Sequence, residues 1–385
     1  MIRDEAVDAL VQRAHREVDD GLLPSCQLAV AHEGEIVEAV TLGDAPRGDA
    51  TRYTIYSATK AVVASAVWQL LAEGAIALED RVADHIPEFG TNGKEVVTVE
   101  QVLLHTAGFP HAPLGPPQWD TREGRLQAFS KWRLNWEPGT RHEYHATTAH
   151  WVLAELLARA DGCEHTESVR RRVLEPLELE SLALGVPLEQ QGDIARVAHV
   201  GEMPTPEEFE AVLGVPGFDV GEVTDEALES FNRPDVIAVG VPGGGAVSTA
   251  SDLALFYQGL LHNPGRLWDP RWLTLATSDV RNTFPDPLLG VPANRAIGVV
   301  VYGDDGNGPR RGFGHGNSAS TFGHNGAGGQ LAWADPDTGV SFAYVTNGLD
   351  RHVIRQWRRD IGINSRAAAV GRAGARFPSQ ESLPS

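Results

Sequence analysis

The stretch Thr54-Ile55-Tyr56-Ser57-Ala58-Thr59-Lys60 runs directly into the apolar segment Ala61-Val62-Val63-Ala64-Ser65-Ala66-Val67-Trp68-Gln69-Leu70-Leu71. Apolar residues recur through it at helical spacing as far as Gly74, and Ser57 stands where that helix is expected to begin. A serine there carries one of the orphan N–H groups of the first turn, so its hydroxyl and its amide face the same space. Lys60 follows one turn on, on the same face. A hydroxyl becomes a useful nucleophile only when a neighbour accepts its proton, and a lysine crowded by apolar side chains can lose its charge and do so. Ser-x-x-Lys is therefore a nucleophile and a base in four residues. The same four residues also describe a capping serine followed by a solvated lysine, so the weight of the pattern depends on the rest of the chain.

At 385 residues the chain exceeds one average domain and has room for two lobes and a sizeable core. Its 52 acidic and 32 basic residues give a formal charge of −20, which disfavours nucleic acid or an anionic membrane as partner. Two cysteines, Cys26 and Cys163, are too few for a disulfide framework and lack metal-binding spacing. The N-terminal residues lack the apolar core of a signal peptide, and no apolar run reaches membrane-spanning length, so a cytoplasmic protein is expected.

Around the Ser57 helix, an apolar stripe from Ala6 to Val18 reads as an amphipathic helix, and residues 26–31 and 36–41 read as two antiparallel strands. Thr98-Val99-Glu100-Gln101 has the form of a capping box. Residues 108–119 hold four prolines and read as an ordered surface loop, and helical spacing returns over 149–160. Residues 201–240, rich in Pro, Gly and Glu, are expected to wrap the surface, either as solvated covering or as a lid. A helix start follows at Ser248-Thr249-Ala250-Ser251-Asp252. Strands are expected at 296–302, 330–334 and 340–346, then a last helix over about 351–361 and a disordered tail over 364–385. Strands at both ends with a helical middle imply an α/β (α+β) fold: one antiparallel sheet from both chain ends, flanked by helices, with a helical lobe inserted. The expected division is residues 1–56 and 246–363 for the sheet lobe and 57–245 for the helical lobe, with Ser57 at its start.

Two more stretches bear on Ser57. Glu137-Pro138-Gly139-Thr140-Arg141-His142-Glu143-Tyr144-His145-Ala146 brings a tyrosine to the start of a helix, and Phe322-Gly323-His324-Asn325-Gly326-Ala327-Gly328-Gly329-Gln330-Leu331 is a glycine-rich edge entering a strand. With these, the chain resembles the serine beta-lactamase and penicillin-binding protein superfamily over residues 20 to 360, in its class C-like branch of esterases, peptidases and acyltransferases. The family motifs Ser-x-x-Lys, Tyr-x-Asn and Lys/His-x-Gly correspond to Ser57-Ala58-Thr59-Lys60, Tyr144-His145-Ala146 and His324-Asn325-Gly326. The phrases Leu103-Leu104-His105-Thr106-Ala107-Gly108 and Pro242-Gly243-Gly244 also look like the family's. The resemblance implies a beta-lactamase/transpeptidase-like fold in which Ser57 attacks, Lys60 and Tyr144 share its proton, and the N–H groups of Ser57 and Ala327 form the oxyanion hole. A phenol beside an ammonium is expected to shift toward phenolate.

The motifs depart from many beta-lactamases at two positions: Ala146 replaces the asparagine and His324 replaces the lysine. Both handles for a beta-lactam's amide and carboxylate are weakened, and the variants resemble the family VIII type carboxylesterases of this family. His324, Asn325 and Gly326 are expected to contact substrate, and Trp119 and Trp136, which flank the tyrosine motif with Trp132, are candidates to line an acyl pocket. There is no Gly-x-Ser-x-Gly and no Walker or dinucleotide pattern, so no cofactor is expected. His142, His145 and His150 do not share one helical face at spacings of three and five, so no metal site is expected. The expected function is a serine carboxylesterase acting on a small-molecule ester of small or medium acyl groups. A beta-lactamase or D-amino-acid peptidase, an acyltransferase, and a catalytically silent binding protein of the same fold are the alternatives.

Overall fold

The strand Ser25–His32 alternates Cys26, Leu28 and Val30 with Gln27, Ala29 and Ala31, and that alternation sets the layers of the molecule. In the computed structural model, which describes residues 2–214, 217 and 223–371, this strand lies second in a six-stranded sheet. The order is Glu35–Gly43, Ser25–His32, Val340–Thr346, Leu331–Asp335, Phe322–Gly323 and Val300–Val301. Every neighbouring pair is antiparallel, with Leu28 opposite Tyr344 and Val30 opposite Phe342.

The two faces of the sheet carry different side chains. One presents Cys26, Leu28, Val30, Leu331, Trp333, Phe342 and Tyr344 to the helices Asp4–Asp19 and Val353–Val370, which supply Leu10, Ala14, Ile363 and Ala367. The other presents Ala29, Ala31, Ala332, Ala334, Ala343 and Val345 to the helix Ala250–His262. Alanine on that face lets the helix backbone come close, so Gln258 can donate to the carbonyl of Ala31 at 3.0 Å and to the Ser341 hydroxyl at 3.0 Å. Beyond that helix lies the helix Thr59–Glu73, with twelve of its fifteen residues buried. A helix apolar all round belongs at the centre of a layer, and this one packs against the helix Thr148–Asp161. Burying each of its Val and Leu side chains contributes about 1.5–3 kcal/mol, which offsets the cost of enclosing Lys60 among them.

The capping box at Thr98 is present, with Gln101 returning its side chain to the Thr98 amide, and the helix Val99–Leu103 follows. Two expectations need correction. The last helix continues to Val370, because Ala367, Ala368, Ala369 and Val370 are buried against the sheet, and Asn364 accepts the indole N–H of Trp333 at 2.8 Å. Residues 364–370 are thus part of a helix rather than of a disordered tail, while 372–385 lie outside the described residues. The strand expected over 296–302 shrinks to Val300–Val301, because Gly298 takes a φ of +108° and the Ala296 amide turns back to the Val299 carbonyl. The segment 201–240 carries helices at Pro206–Leu213, Asp225–Glu229 and Pro234–Val239, the first begun by a capping box of Thr205 and Glu208. Part of the possible lid, residues 215, 216 and 218–222, lies outside the described residues. Among the described residues no helix is long and apolar enough to cross a membrane.

Candidate active site

Ser57 does not open the long helix directly. It sits in a single 3-10 turn, Tyr56–Ala58, ahead of the helix Thr59–Glu73. Tyr56 before it has a φ of +43°, a conformation that costs a bulky side chain on the order of 1–3 kcal/mol and persists only when its surroundings impose it. They do so here. The amide of Ile55 donates to the Ala246 carbonyl at 3.0 Å, and the Tyr56 hydroxyl donates to the Leu228 carbonyl at 3.1 Å. Phe231 meets the Tyr56 ring edge-on at 5.4 Å, so the described part of segment 201–240 packs on the residue before Ser57. The result is a half-buried serine held on a sharp turn.

One helical turn on, Lys60 has no exposed surface. Its Nζ lies 3.1 Å from Ser57 Oγ and donates to the Gly243 carbonyl at 2.5 Å. Gly243 has no room for a side chain, since a Cβ there would lie 2.9 Å from the backbone of Ala146 and Thr147. The glycine-rich phrase 242–244 therefore brings the Lys60 anchor against the tyrosine motif. Burial, helped by the positive charge of Arg295, holds the lysine well below its ordinary value, which favours the free amine. An amine donating to Gly243 keeps its lone pair for the Ser57 hydroxyl.

Tyr144 is half-buried, with Lys60 Nζ 4.9 Å from its ring centroid. Enclosure pushes the phenol up to about 12, against the opposing pull of Arg295 and of its hydrogen bond with Ser57. The expected shift toward phenolate is thus reversed: desolvation outweighs the neighbouring positive charge, and Tyr144 is held as the phenol. His324 sits with its ring 6.1 Å from that of Tyr144. Its Nδ1 donates to the Asn325 carbonyl at 2.9 Å, which leaves Nε2 as an acceptor facing Arg295 Nη1 at 3.4 Å. Burial and Arg295 keep this imidazole neutral. Arg295 also lies over the Tyr144 ring at 5.2 Å, and its Nε makes no hydrogen bond. Nothing in the sequence around Arg295 marks it, because its place depends on the turn at 294–301.

The edge after His324 passes directly over the serine turn. A Cβ at Gly326 would lie 2.2 Å from the Ile55 carbonyl oxygen, so only glycine allows the approach. Ala327 follows beside Tyr56. Asn325 has a different task from the one expected: its side chain donates to the Gly312 carbonyl at 2.5 Å and accepts the Ala332 amide at 3.1 Å, fastening the edge in place. The two candidate pocket tryptophans have other partners. Trp119 packs on Trp151, and Trp136 donates to Glu143 at 2.9 Å and meets His145 edge-on. Two of the three clustered histidines have side-chain partners: His145 lies between the Phe109 amide and the Glu143 carbonyl, and His142 between Asn282 and Asp286, while His150 is buried.

A nucleophile with an adjacent amine, a phenol in contact with both and a glycine-rich edge over them form an arrangement for acyl transfer. The sequence profile described as Beta-lactamase matches residues 5–363. The chain is 32% identical over 348 residues to Esterase/beta-lactamase LipL of Mycobacterium tuberculosis, covering 84% of this chain and 76% of that one. A penicillin-binding protein homolog from Caulobacter crescentus superposes with a TM-score of 0.78 at 28% identity, covering 96% of this chain and 99% of that one. A family VIII carboxylesterase has the same fold, with a TM-score of 0.75 at 23% identity over 95% of this chain and 99% of that one. The fold, the profile match across nearly the whole chain and the relatives agree: this chain belongs to the beta-lactamase family.

Proposed function

We propose that the protein is a serine carboxylesterase that cleaves small-molecule esters of small or medium acyl groups through an acyl-enzyme on Ser57. The observation that carries this reading is the fully buried Lys60, whose Nζ lies 3.1 Å from Ser57 Oγ. Lys60 Nζ takes the hydroxyl proton as Oγ attacks the ester carbonyl, and the oxyanion that forms is stabilised by the amides of Ser57 and Ala327. The tetrahedral adduct collapses by breaking the bond to the alcohol oxygen, which leaves with the proton carried by Lys60 and relayed through the Tyr144 phenol. Water then gives a proton to the same pair, attacks the acyl carbon and releases Ser57 and the carboxylic acid. Ala146 cannot bond an amide, and neutral His324 offers an anion less than an ammonium would. Both favour simple esters, and the name of the relative LipL includes esterase activity.

One observation favours a second reading. Arg295 places a buried positive charge directly behind His324, which restores part of the attraction for a carboxylate and so for a beta-lactam. The two readings separate on one preparation, by kcat/KM for p-nitrophenyl butyrate and for a cephalosporin, with Ser57→Ala as the blank. The ester is expected to be turned over at least about tenfold more efficiently, a difference of about 1.4 kcal/mol in transition-state binding. A beta-lactam value equal to or above the ester value would reject the esterase reading in favour of the second.

A further inference from the structure

The loop carrying Tyr144 belongs to neither the serine helix nor the sheet, so something else must fix its phenol against Ser57. The helix Val99–Leu103 ends just before His105, which is 1% exposed and has a φ of +57°. That conformation turns both its carbonyl and its ring toward the tyrosine loop. The amide of Glu143 donates to the His105 carbonyl at 3.3 Å, and the amide of His145 donates to His105 Nδ1 at 3.0 Å. One residue thereby holds the backbone on both sides of Tyr144. Its imidazole also stacks on the Tyr144 ring, with centroids 4.9 Å apart and planes at 24°. Nδ1 can accept only in the neutral ring, and burial together with Arg295 holds His105 well below the ordinary imidazole value.

We infer that His105 is a positioning residue for the reaction: it clamps residues 143 and 145 so that the Tyr144 hydroxyl lies where Ser57 and Lys60 can exchange a proton with it. The inference rests on the proposed role of Tyr144. Displacing a reacting group by about 1 Å costs on the order of a hundredfold in rate, so a clamp that touches no substrate can still govern turnover. The two contacts of His105 can be removed separately. Asn at this position keeps an acceptor near the place of Nδ1 and tolerates a positive φ, but it loses the stacked ring. Phe keeps a ring and leaves the His145 amide without its partner.

The experiment measures the rate at which a fluorophosphonate labels Ser57, by mass spectrometry, together with kcat and KM for p-nitrophenyl butyrate. The chains are wild type, His105→Asn and His105→Phe, each also made in a Tyr144→Phe background. His105→Phe is expected to lower labelling rate and kcat by about tenfold or more with KM within about twofold, and His105→Asn to stay within about threefold of wild type. In the Tyr144→Phe background both substitutions are expected to cost less than about twofold, because a residue acting through Tyr144 has nothing left to position. A general packing role would instead leave the losses undiminished in that background, and this result overturns the inference. Equal losses for Asn and Phe overturn the clamp as well. Should His105→Phe not fold, the Asn pair decides: a loss beyond about tenfold, or one that persists without the tyrosine hydroxyl, contradicts it. A wild-type chain that is not labelled at Ser57 contradicts the hydrolase reading and the inference together, whereas a labelled wild type with the variants misordered contradicts the inference alone.

Discussion

Lys60 has its amino group enclosed between Ser57 and Gly243, and its lowered affinity for a proton is both its chemistry and its cost. The unfolded chain keeps a proton on this lysine up to its ordinary value of 10.5, while the folded chain releases it lower. Between those two points the unfolded state binds more protons, so this group's contribution to stability rises with pH. The penalty therefore grows as pH falls from 10.5 to the folded value, and is constant below it. Lys60→Met should remove that slope and raise stability, by at most about the 1–4 kcal/mol found when buried ion pairs are replaced by apolar side chains, while abolishing turnover. Thermal denaturation across pH, read beside the rate, tests both. A destabilised Lys60→Met, or one with wild-type activity, would count against a neutral buried base. The candidate residues Ser57, Lys60 and Tyr144 could be picked out because each stands in a short motif, and one helical turn alone brings Lys60 to Ser57. Arg295 was not, because nothing local places it; only the fold brings it over Tyr144. His105 lay within a recognised phrase, but its role depends on a backbone conformation that residue identity does not reveal.

At the scale of elements, the close crossing of the edge 324–329 over the serine turn determines whether the Ala327 amide can serve beside Ser57. Gly326 is the point of tightest approach, and there a methyl would meet the backbone of Ile55, which cannot rotate away. Gly326→Ala should push the edge outward and lower kcat by on the order of a hundredfold, the scale of losing an oxyanion donor, with KM and the far-ultraviolet circular dichroism little changed. Wild-type kcat in a folded Gly326→Ala protein would show that the edge is not part of the machinery. Element boundaries were readable where a local signal ends them, as at the Thr98 capping box and the Asp335–Gly339 turn before Val340–Thr346. They were not readable where tertiary packing extends or shortens the element. The alanines at 367–369 look like a low-complexity tail, yet they match the face of the sheet and prolong the last helix, whereas Gly298 breaks a stretch whose apolar pattern reads as a longer strand.

For the whole molecule, the architecture was visible in the distribution of strand patterns to the two ends of the chain. The alternation of Cys26, Leu28 and Val30 with Gln27, Ala29 and Ala31 is matched by Phe342 and Tyr344 beside Ser341 and Ala343, so the two strands share their faces in register. What the pattern could not show is how the helical middle folds back to bring Lys60 and Tyr144 to Ser57, Gly243 to Lys60 and His324 beside Tyr144. In the proposed reaction Ser57 is the single point of attack, and this can be tested without knowing the physiological ester. The most direct measurement is rapid acid quenching of the protein with p-nitrophenyl butyrate, followed by peptide mass spectrometry. A butyryl group on the peptide bearing Ser57, absent from Ser57→Ala together with all but about a hundredth of the turnover, is the expected result. A butyryl group on another residue, or turnover that survives Ser57→Ala, would contradict it.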